Sequence, residues 1–323
     1  MKRKIKIKYV DFWDAFKSET YTITELLAKH YDLEFSDKPD FLFYSVYSKN
    51  FMKYDCTRIM YSGENIFPDF NLCDYAIGFD KIDMGNRYIY FPNYLMNPKY
   101  KIDVERMKNK HLPEHIASKS KIDFCSFVVS NGAGDKIRFK LFNEISKYKP
   151  VHSGGRYLNN IGLPSGVPDK YEFQLKHKFS IAAENSAHNG YCTEKLVEAF
   201  AAGCIPIYWG DPCVTEIFNE KAMIIVKDES DIPAAIEKIK ALDNDERLYK
   251  NMLKEPALVK KDIFDGWYEK LESFLCYIID NPVDHYAGRS RGPFVYGYYQ
   301  NYFDNTLNKN NFFEKILKIW RLK

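Results

Sequence analysis

Residues 184–210 read ENSAHNGYCTEKLVEAFAAGCIPIYWG. An amide (Asn185), a phenol (Tyr191), an acid (Glu194) and a lysine (Lys195) stand just before or at the start of a run with helical periodicity. A strand-like apolar run follows. Thr193 is a natural N-cap, Leu196, Ala199 and Phe200 give the helix an apolar face, and Gly203 suits its end. The unpaired N–H groups of such a first turn favour an anion such as a pyrophosphate, and Lys195 adds a point charge. Glu194 can accept two hydrogen bonds from a ribose diol. Tyr191 offers a flat face and a hydroxyl to a base or sugar, and Asn185 both a donor and an acceptor. An ordinary solvated helix start would use the same Thr-Glu-Lys run, so both readings stand at this point.

Two further stretches carry chemistry. In SNGAGDKIR, residues 130–138, a strand leads through Gly132 and Gly134 into a helix bearing Arg138. Ile137 takes the place of a third glycine, so this is no dinucleotide fingerprint, but Arg138 can hold two phosphate oxygens with its planar fork. In YSGENIFPDFNLCDYAIGF, Glu64 follows Gly63 after an apolar strand in the first half of the chain. A carboxylate there would face the second half across a cleft and could act as a general base. The plainer reading is a loop carboxylate capping local backbone groups.

The elements that must position these residues alternate. Strand-like IKIKYVDF, DFLFYSV, TRIMYSGEN and DYAIGF flank helical ITELLAKHY, and strand-like FCSFVV, KFSIAA, CIPIYW and AMIIV alternate with helical KIRFKLFNEISKY, TEKLVEAFAA and IPAAIEKIKAL. The pattern predicts two α/β halves in tandem with parallel sheets. At 323 residues the chain exceeds one ordinary core, and two domains of roughly 150 residues are expected. We place the first at residues 1–115 and the second at 116–281. Residues 97–120, rich in charge and poor in large apolar side chains, read as an exposed connecting segment.

Composition sets limits. Hydrophobic residues make up 46% and charged residues 28%, the balance of a globular protein. A net charge of +3 and a pI of about 8.2 give no case for a nucleic-acid partner. Seven scattered cysteines without a CxxC pair suggest neither a disulfide framework nor a zinc cluster, and a reduced, cytoplasmic setting is expected. The basic N-terminus lacks the apolar stretch of a signal peptide, and no run reaches the ~18 residues of a spanning helix. The run Asp243, Asn244, Asp245 resembles a metal-binding DxD motif but lies at the polar end of a helix, so no bound metal is expected. The aromatic, basic tail at residues 282–323 has an apolar stripe beside a basic face. It suits a peripheral contact with the inner face of the membrane, or a final helix docked on the protein itself.

The three chemistry-bearing stretches together resemble the α-1,3-fucosyltransferases of glycosyltransferase family ten, particularly the bacterial enzymes. FSIAAENSAHNGYCTEKLVEAFAAGCIPIYWGDP is similar to the family's F-x-x-x-x-E-N, Y-x-T-E-K and IPIYWG pattern, over a resemblance spanning about residues 55–265. IAAEN stands where LxFEN is more usual, and the heptad repeats of some bacterial members are absent. The resemblance implies a GT-B architecture of two facing Rossmann-like domains, with acceptor sugar on the first and GDP-fucose on the second. It implies Glu64 as general base, Arg138 and Lys195 on the pyrophosphate, Glu194 on the ribose, and Tyr191 and Asn185 on the nucleotide-sugar. The implied reaction is inverting transfer of L-fucose from GDP-β-L-fucose to the GlcNAc of N-acetyllactosamine-type acceptors. Such acceptors belong to surface glycans such as lipopolysaccharide carrying Lewis antigens. A GT-B transferase with another nucleotide-sugar and a catalytically silent nucleotide-binding module are the alternatives.

Overall fold

The computed structural model describes residues 2–110 and 121–281. The tail at 282–323, and with it the membrane-surface helix, lies outside the described residues. Six parallel strands make the first sheet: β1 (Arg3–Val10), β2 (Tyr31–Phe35), β3 (Phe41–Tyr44), β4 (Thr57–Tyr61), β5 (Tyr75–Gly78) and β6 (Tyr88–Tyr90). Their order is β2-β1-β3-β4-β5-β6. Five parallel strands make the second: β7 (Asp123–Phe127), β8 (Val151–Ser153), β9 (His177–Ala183), β10 (Ile205–Trp209) and β11 (Ile224–Ile225). They run β11-β10-β9-β7-β8. β4 and β10 are buried along their whole length, which is why they read as unbroken apolar runs rather than alternating ones.

In both sheets the strand order reverses beside the first strand, between β1 and β3 and between β7 and β9. The crevice outside the carboxyl ends of an open α/β sheet at such a point is where ligands bind. The loops after β1, β3 and β4 and those after β7 and β9 therefore have to supply any site. All three chemistry-bearing stretches of the sequence lie on these loops.

The helices are α1 (Thr22–Ala28), α2 (Asn93–Met96), α3 (Lys101–Lys108), α4 (Ile137–Ser146), α5 (Lys170–Leu175), α6 (Glu194–Ala201), α7 (Ile232–Asn244), α8 (Glu246–Lys254) and α9 (Trp267–Asp280). α6 ends where expected, with Gly203 in the left-handed region at φ 65°. Among the described residues no helix is long and apolar enough to cross a membrane.

Residues 97–110 are not the exposed connector that their charge suggested. Tyr100, Val104 and Met107, spaced i, i+4, i+7, are buried, and α3 packs on α6 of the second half. They join one apolar cluster with Tyr94, Leu196, Val197 and Phe200. Each such side chain contributes about 1.5–3 kcal/mol on burial, so the two halves share a core rather than merely touch. The lysines and arginine of α3 occupy the opposite face and masked the stripe in a composition count. α9 follows the second sheet in the chain yet crosses back to pack on α1, where Glu272 meets Lys29 and His30 at 2.6 Å each. Short β2, β6, β8 and α5 also went unrecognised, being three to six residues each and flanked by turn-forming residues.

Asp243 sits in the last turn of α7, as the sequence indicated. It is ion-paired with Lys149 and Lys178, while Asp245 caps α8 by accepting from the Arg247 and Leu248 N–H groups.

Candidate active site

β9 delivers Glu184, which is fully buried, to the carboxyl edge of the second sheet. One of its carboxylate oxygens accepts the Thr193 backbone N–H at 2.7 Å. The other accepts the Thr193 hydroxyl at 2.6 Å and the Lys195 ammonium at 2.9 Å. Thr193 stands at the N-cap position of α6, but its hydroxyl is used on Glu184 and makes no capping bond. The first-turn N–H groups of α6 are thus left for a ligand. A Cβ on Gly210 would lie 2.5 Å from the Glu184 side chain, so the glycine that ends the IPIYWG run makes room for this carboxylate.

Burial alone would lower the pKa of Lys195. The Glu184 and Glu194 carboxylates outweigh it and hold the ammonium well above the usual lysine range. Burial alone would raise Glu194, but Lys195 and Lys170 pull its carboxyl down to about 2. At neutral pH the helix start therefore presents a fixed cation and a fixed carboxylate, the pair suited to a phosphate and a diol.

Arg138 comes from the other side of the crevice. After β7, Asp135 turns the chain by accepting the Ile137 N–H at 2.9 Å, and its own N–H donates to the Asn185 carbonyl at 2.8 Å. Arg138 is 2% exposed; its Nη1 donates to Asn185 Oδ1 at 3.1 Å, while Nε and Nη2 have no partner. A Cβ on Gly134 would sit 1.8 Å from Arg138 Nη1, so this glycine is required by the guanidinium's path, not by its own backbone angles.

The first half closes the site. Tyr191 is buried edge-on against Phe79, at 4.8 Å between centroids, and a Cβ on Gly190 would meet the Phe79 carbonyl at 2.1 Å. Asn65 donates to Ser186 at 2.6 Å, and His188 meets Asp80 at 2.7 Å. Glu64, three residues beyond β4, accepts the Tyr47 hydroxyl at 3.0 Å and is partly exposed. One cleft of about 740 Å³ is lined by Glu64 from the first half and by Asn185, Tyr191, Glu194 and Lys195 from the second. Arg138 is not in its wall but reaches it through Asn185. The structure thus lines one cleft with five of the six predicted residues and seats the sixth, Arg138, behind Asn185.

The remaining wall holds groups to which sequence reasoning gave no role. Trp13, Phe16 and Lys17 come from the loop after β1, Tyr47 follows β3, Asn93 opens α2, and Lys99 and Tyr100 follow it. Phe16 stacks on Phe12, and Trp13, Phe16 and Tyr21 meet one another edge-on in a ring cluster. Glu184 was inside the quoted motif without a role. Its signal was a carboxylate at a strand end followed by a Thr-Glu-Lys helix start.

Two family models match the chain. One is described as the N-terminal domain of alpha-(1,3)-fucosyltransferase FucT and covers residues 7–97. The other, glycosyltransferase family 10 (fucosyltransferase) C-term, covers residues 117–282. The chain belongs to glycosyltransferase family 10.

Among its relatives in the family, alpha-(1,3)-fucosyltransferase FucT of Helicobacter pylori is 32% identical over 271 residues, 74% of this chain and 55% of its own length. Alpha-(1,3)-fucosyltransferase B of Drosophila melanogaster is 33% identical over 117 residues, 33% of this chain and 26% of its own length. The family 10 chain thus spans about half or less of the length of these curated relatives. A solved alpha1,3-fucosyltransferase with GDP superposes with a TM-score of 0.75 at 28% identity, over 90% of this chain and 94% of the other. The same holds for one with GDP-fucose, at 0.75 and 27%, over 88% and 93%. The two parallel-sheet α/β units are therefore the GT-B fold of that enzyme.

Proposed function

We propose that the protein is an inverting α-1,3-fucosyltransferase that moves L-fucose from GDP-β-L-fucose to the GlcNAc of N-acetyllactosamine-type acceptors on surface glycans. One observation carries the reading: a single cleft holds a carboxylate, Glu64, on one wall and an anion-binding helix start with Lys195 on the other. Glu64 takes the proton of an acceptor hydroxyl, and that oxygen attacks the anomeric carbon. The bond from this carbon to the β-phosphate oxygen breaks, and GDP leaves with the electron pair from the opposite face. One displacement inverts the centre, and the Glu64 proton passes to water as product leaves. Lys195, Arg138 and the free N–H groups of α6 stabilise the growing diphosphate charge, Glu194 takes the ribose, and Asn185 and Tyr191 hold the nucleotide-sugar. Trp13, Phe16 and Tyr47 offer flat apolar faces to acceptor sugar rings beside Glu64.

The cationic end built from Lys195, Arg138 and the α6 N–H groups supports a reaction without a divalent metal. Incubating the protein with N-acetyllactosamine, GDP-fucose and EDTA is expected to add one deoxyhexose to the acceptor by mass spectrometry. Turnover with another GDP- or UDP-sugar in place of GDP-fucose would move the donor assignment. GDP binding without turnover on any donor would favour the silent module.

Among the described residues no disulfide joins any of the seven cysteines, which supports a reducing, cytoplasmic location. The basic, aromatic tail supports peripheral contact with the inner membrane face. The full chain is expected to co-sediment with anionic vesicles, and a variant lacking residues 305–323 to stay in the supernatant with turnover mostly unchanged. Equal sedimentation of the two removes the membrane contact.

A further inference from the structure

At the amino ends of the second sheet, on the side away from the cleft, three side chains converge from neighbouring strands. Asp123 opens β7, His177 opens β9 directly opposite it in register, and His152 lies in the middle of β8. His152 Nδ1 is 3.0 Å from His177 Nε2, and the Asp123 carboxylate oxygens are 3.9 Å from the first and 4.0 Å from the second. In a tetrahedral zinc site with bonds of ~2.0–2.2 Å, ligand atoms stand roughly 3.3–3.6 Å apart, and the observed spacings bracket that value.

The His177 ring is held in the tautomer that a ligand needs. Its Nδ1 lies 2.8 Å from the Phe173 carbonyl, which can only accept, so Nδ1 carries the proton and Nε2 a lone pair. A backbone carbonyl on the far nitrogen is the usual way a ligating histidine is oriented. The ring is 1% exposed at its side chain and rests on Phe173 at 4.7 Å between centroids, so its direction is fixed. Asp123 and His152 are partly exposed, which gives an ion access and leaves room for a water ligand. The ammonium of nearby Lys121 is engaged by the Leu175 and Ala202 carbonyls.

We propose that Asp123, His152 and His177 form a zinc site, completed by water, that ties β8, β7 and β9 together and takes no part in sugar transfer. Two imidazoles and one carboxylate suit Zn²⁺ rather than Ca²⁺ or Mg²⁺, which take mainly oxygen ligands. Without metal, His152 Nδ1–H donates to His177 Nε2. On binding, His152 moves its proton to Nε2 and presents Nδ1, so the imidazole stays neutral.

The test titrates ZnCl₂ by calorimetry into full-length protein that carries no polyhistidine tag and has been stripped with EDTA and desalted. One ion per chain is expected, and free zinc at a hundred times Kd shifts the folding equilibrium about a hundredfold, which raises the thermal midpoint. His152→Ala and Asp123→Asn should each weaken binding by at least the ~10–100-fold seen when an outer-shell partner of a site is disturbed. Both variants should keep their turnover. Absence of binding by the unmodified chain overturns the proposal. So does unchanged affinity in both variants, since the ion would then be held elsewhere, for example by thiols.

Discussion

Glu64→Gln is expected to lower kcat by ~10²–10⁴-fold, the usual worth of a positioned general base, while GDP affinity changes by no more than about twofold. The loss corresponds to about 3–5 kcal/mol of transition-state stabilisation. The substitution is close to isosteric, and its carbonyl oxygen can still accept the Tyr47 hydroxyl now 3.0 Å from Glu64. Loop geometry should therefore survive, and what disappears is the capacity to take a proton. GDP affinity is the internal control, because the groups proposed to hold the diphosphate come from the second half and Glu64 from the first. Single-turnover product formation followed by mass spectrometry, beside calorimetry with GDP, reads both quantities. Turnover within tenfold of the unmodified protein would move the base to another residue. A parallel fall in GDP affinity would make Glu64 a binding group instead.

The second-half wall of the cleft was legible in the sequence for a local reason. Asn185, Tyr191, Glu194 and Lys195 fall within eleven residues, on one strand end and one helix start, so spacing alone assembles them. Arg138 was visible as a planar cation on a helix that follows a glycine-containing loop, although the structure shows that Gly134 makes room for the arginine itself. Glu64 was visible as a carboxylate after an apolar strand, yet only the facing of the two halves makes it a partner of Lys195. The rest of the first-half wall was not legible. Trp13, Tyr47 and Asn93 stand tens of residues apart and meet only because β1, β3 and the turn after β6 end at the same edge.

Charge misled where a helix hid a narrow stripe. Tyr100, Val104 and Met107 are few among lysines, but they seal α3 onto α6 and carry Lys99 to the rim of the cleft. Glu184 escaped assignment because its role depends on a return of the chain nine residues later, to Thr193. His152 and His177, twenty-five residues apart, have no motif spacing, and strand order rather than sequence distance brings them together.

Arg138→Met is expected to cut turnover by ~10²–10³-fold, the range for removing one preorganised donor to developing charge, and to weaken GDP at least about tenfold. Its effect on the unliganded protein should have the opposite sign. Arg138 is 2% exposed with Nε and Nη2 unpartnered, and a buried donor left without an acceptor costs about 1–3 kcal/mol. Burial also lowers the guanidinium's pKa against the pull of Glu184, a sign that the group is incompletely compensated. Methionine keeps much of the stem and removes the polar head, so the ligand-free melting temperature should hold or rise, by roughly 2–4 °C for each kcal/mol recovered. The rise that GDP produces in that temperature should shrink, because the guanidinium would no longer meet the diphosphate. Gly134→Ala separates chemistry from geometry: its methyl group would occupy the space of Arg138 Nη1, displacing the fork while keeping its charge. It should weaken GDP in the same direction. A methionine variant that melts lower and binds GDP as before would make Arg138 a structural residue, whose buried nitrogens serve packing rather than the donor.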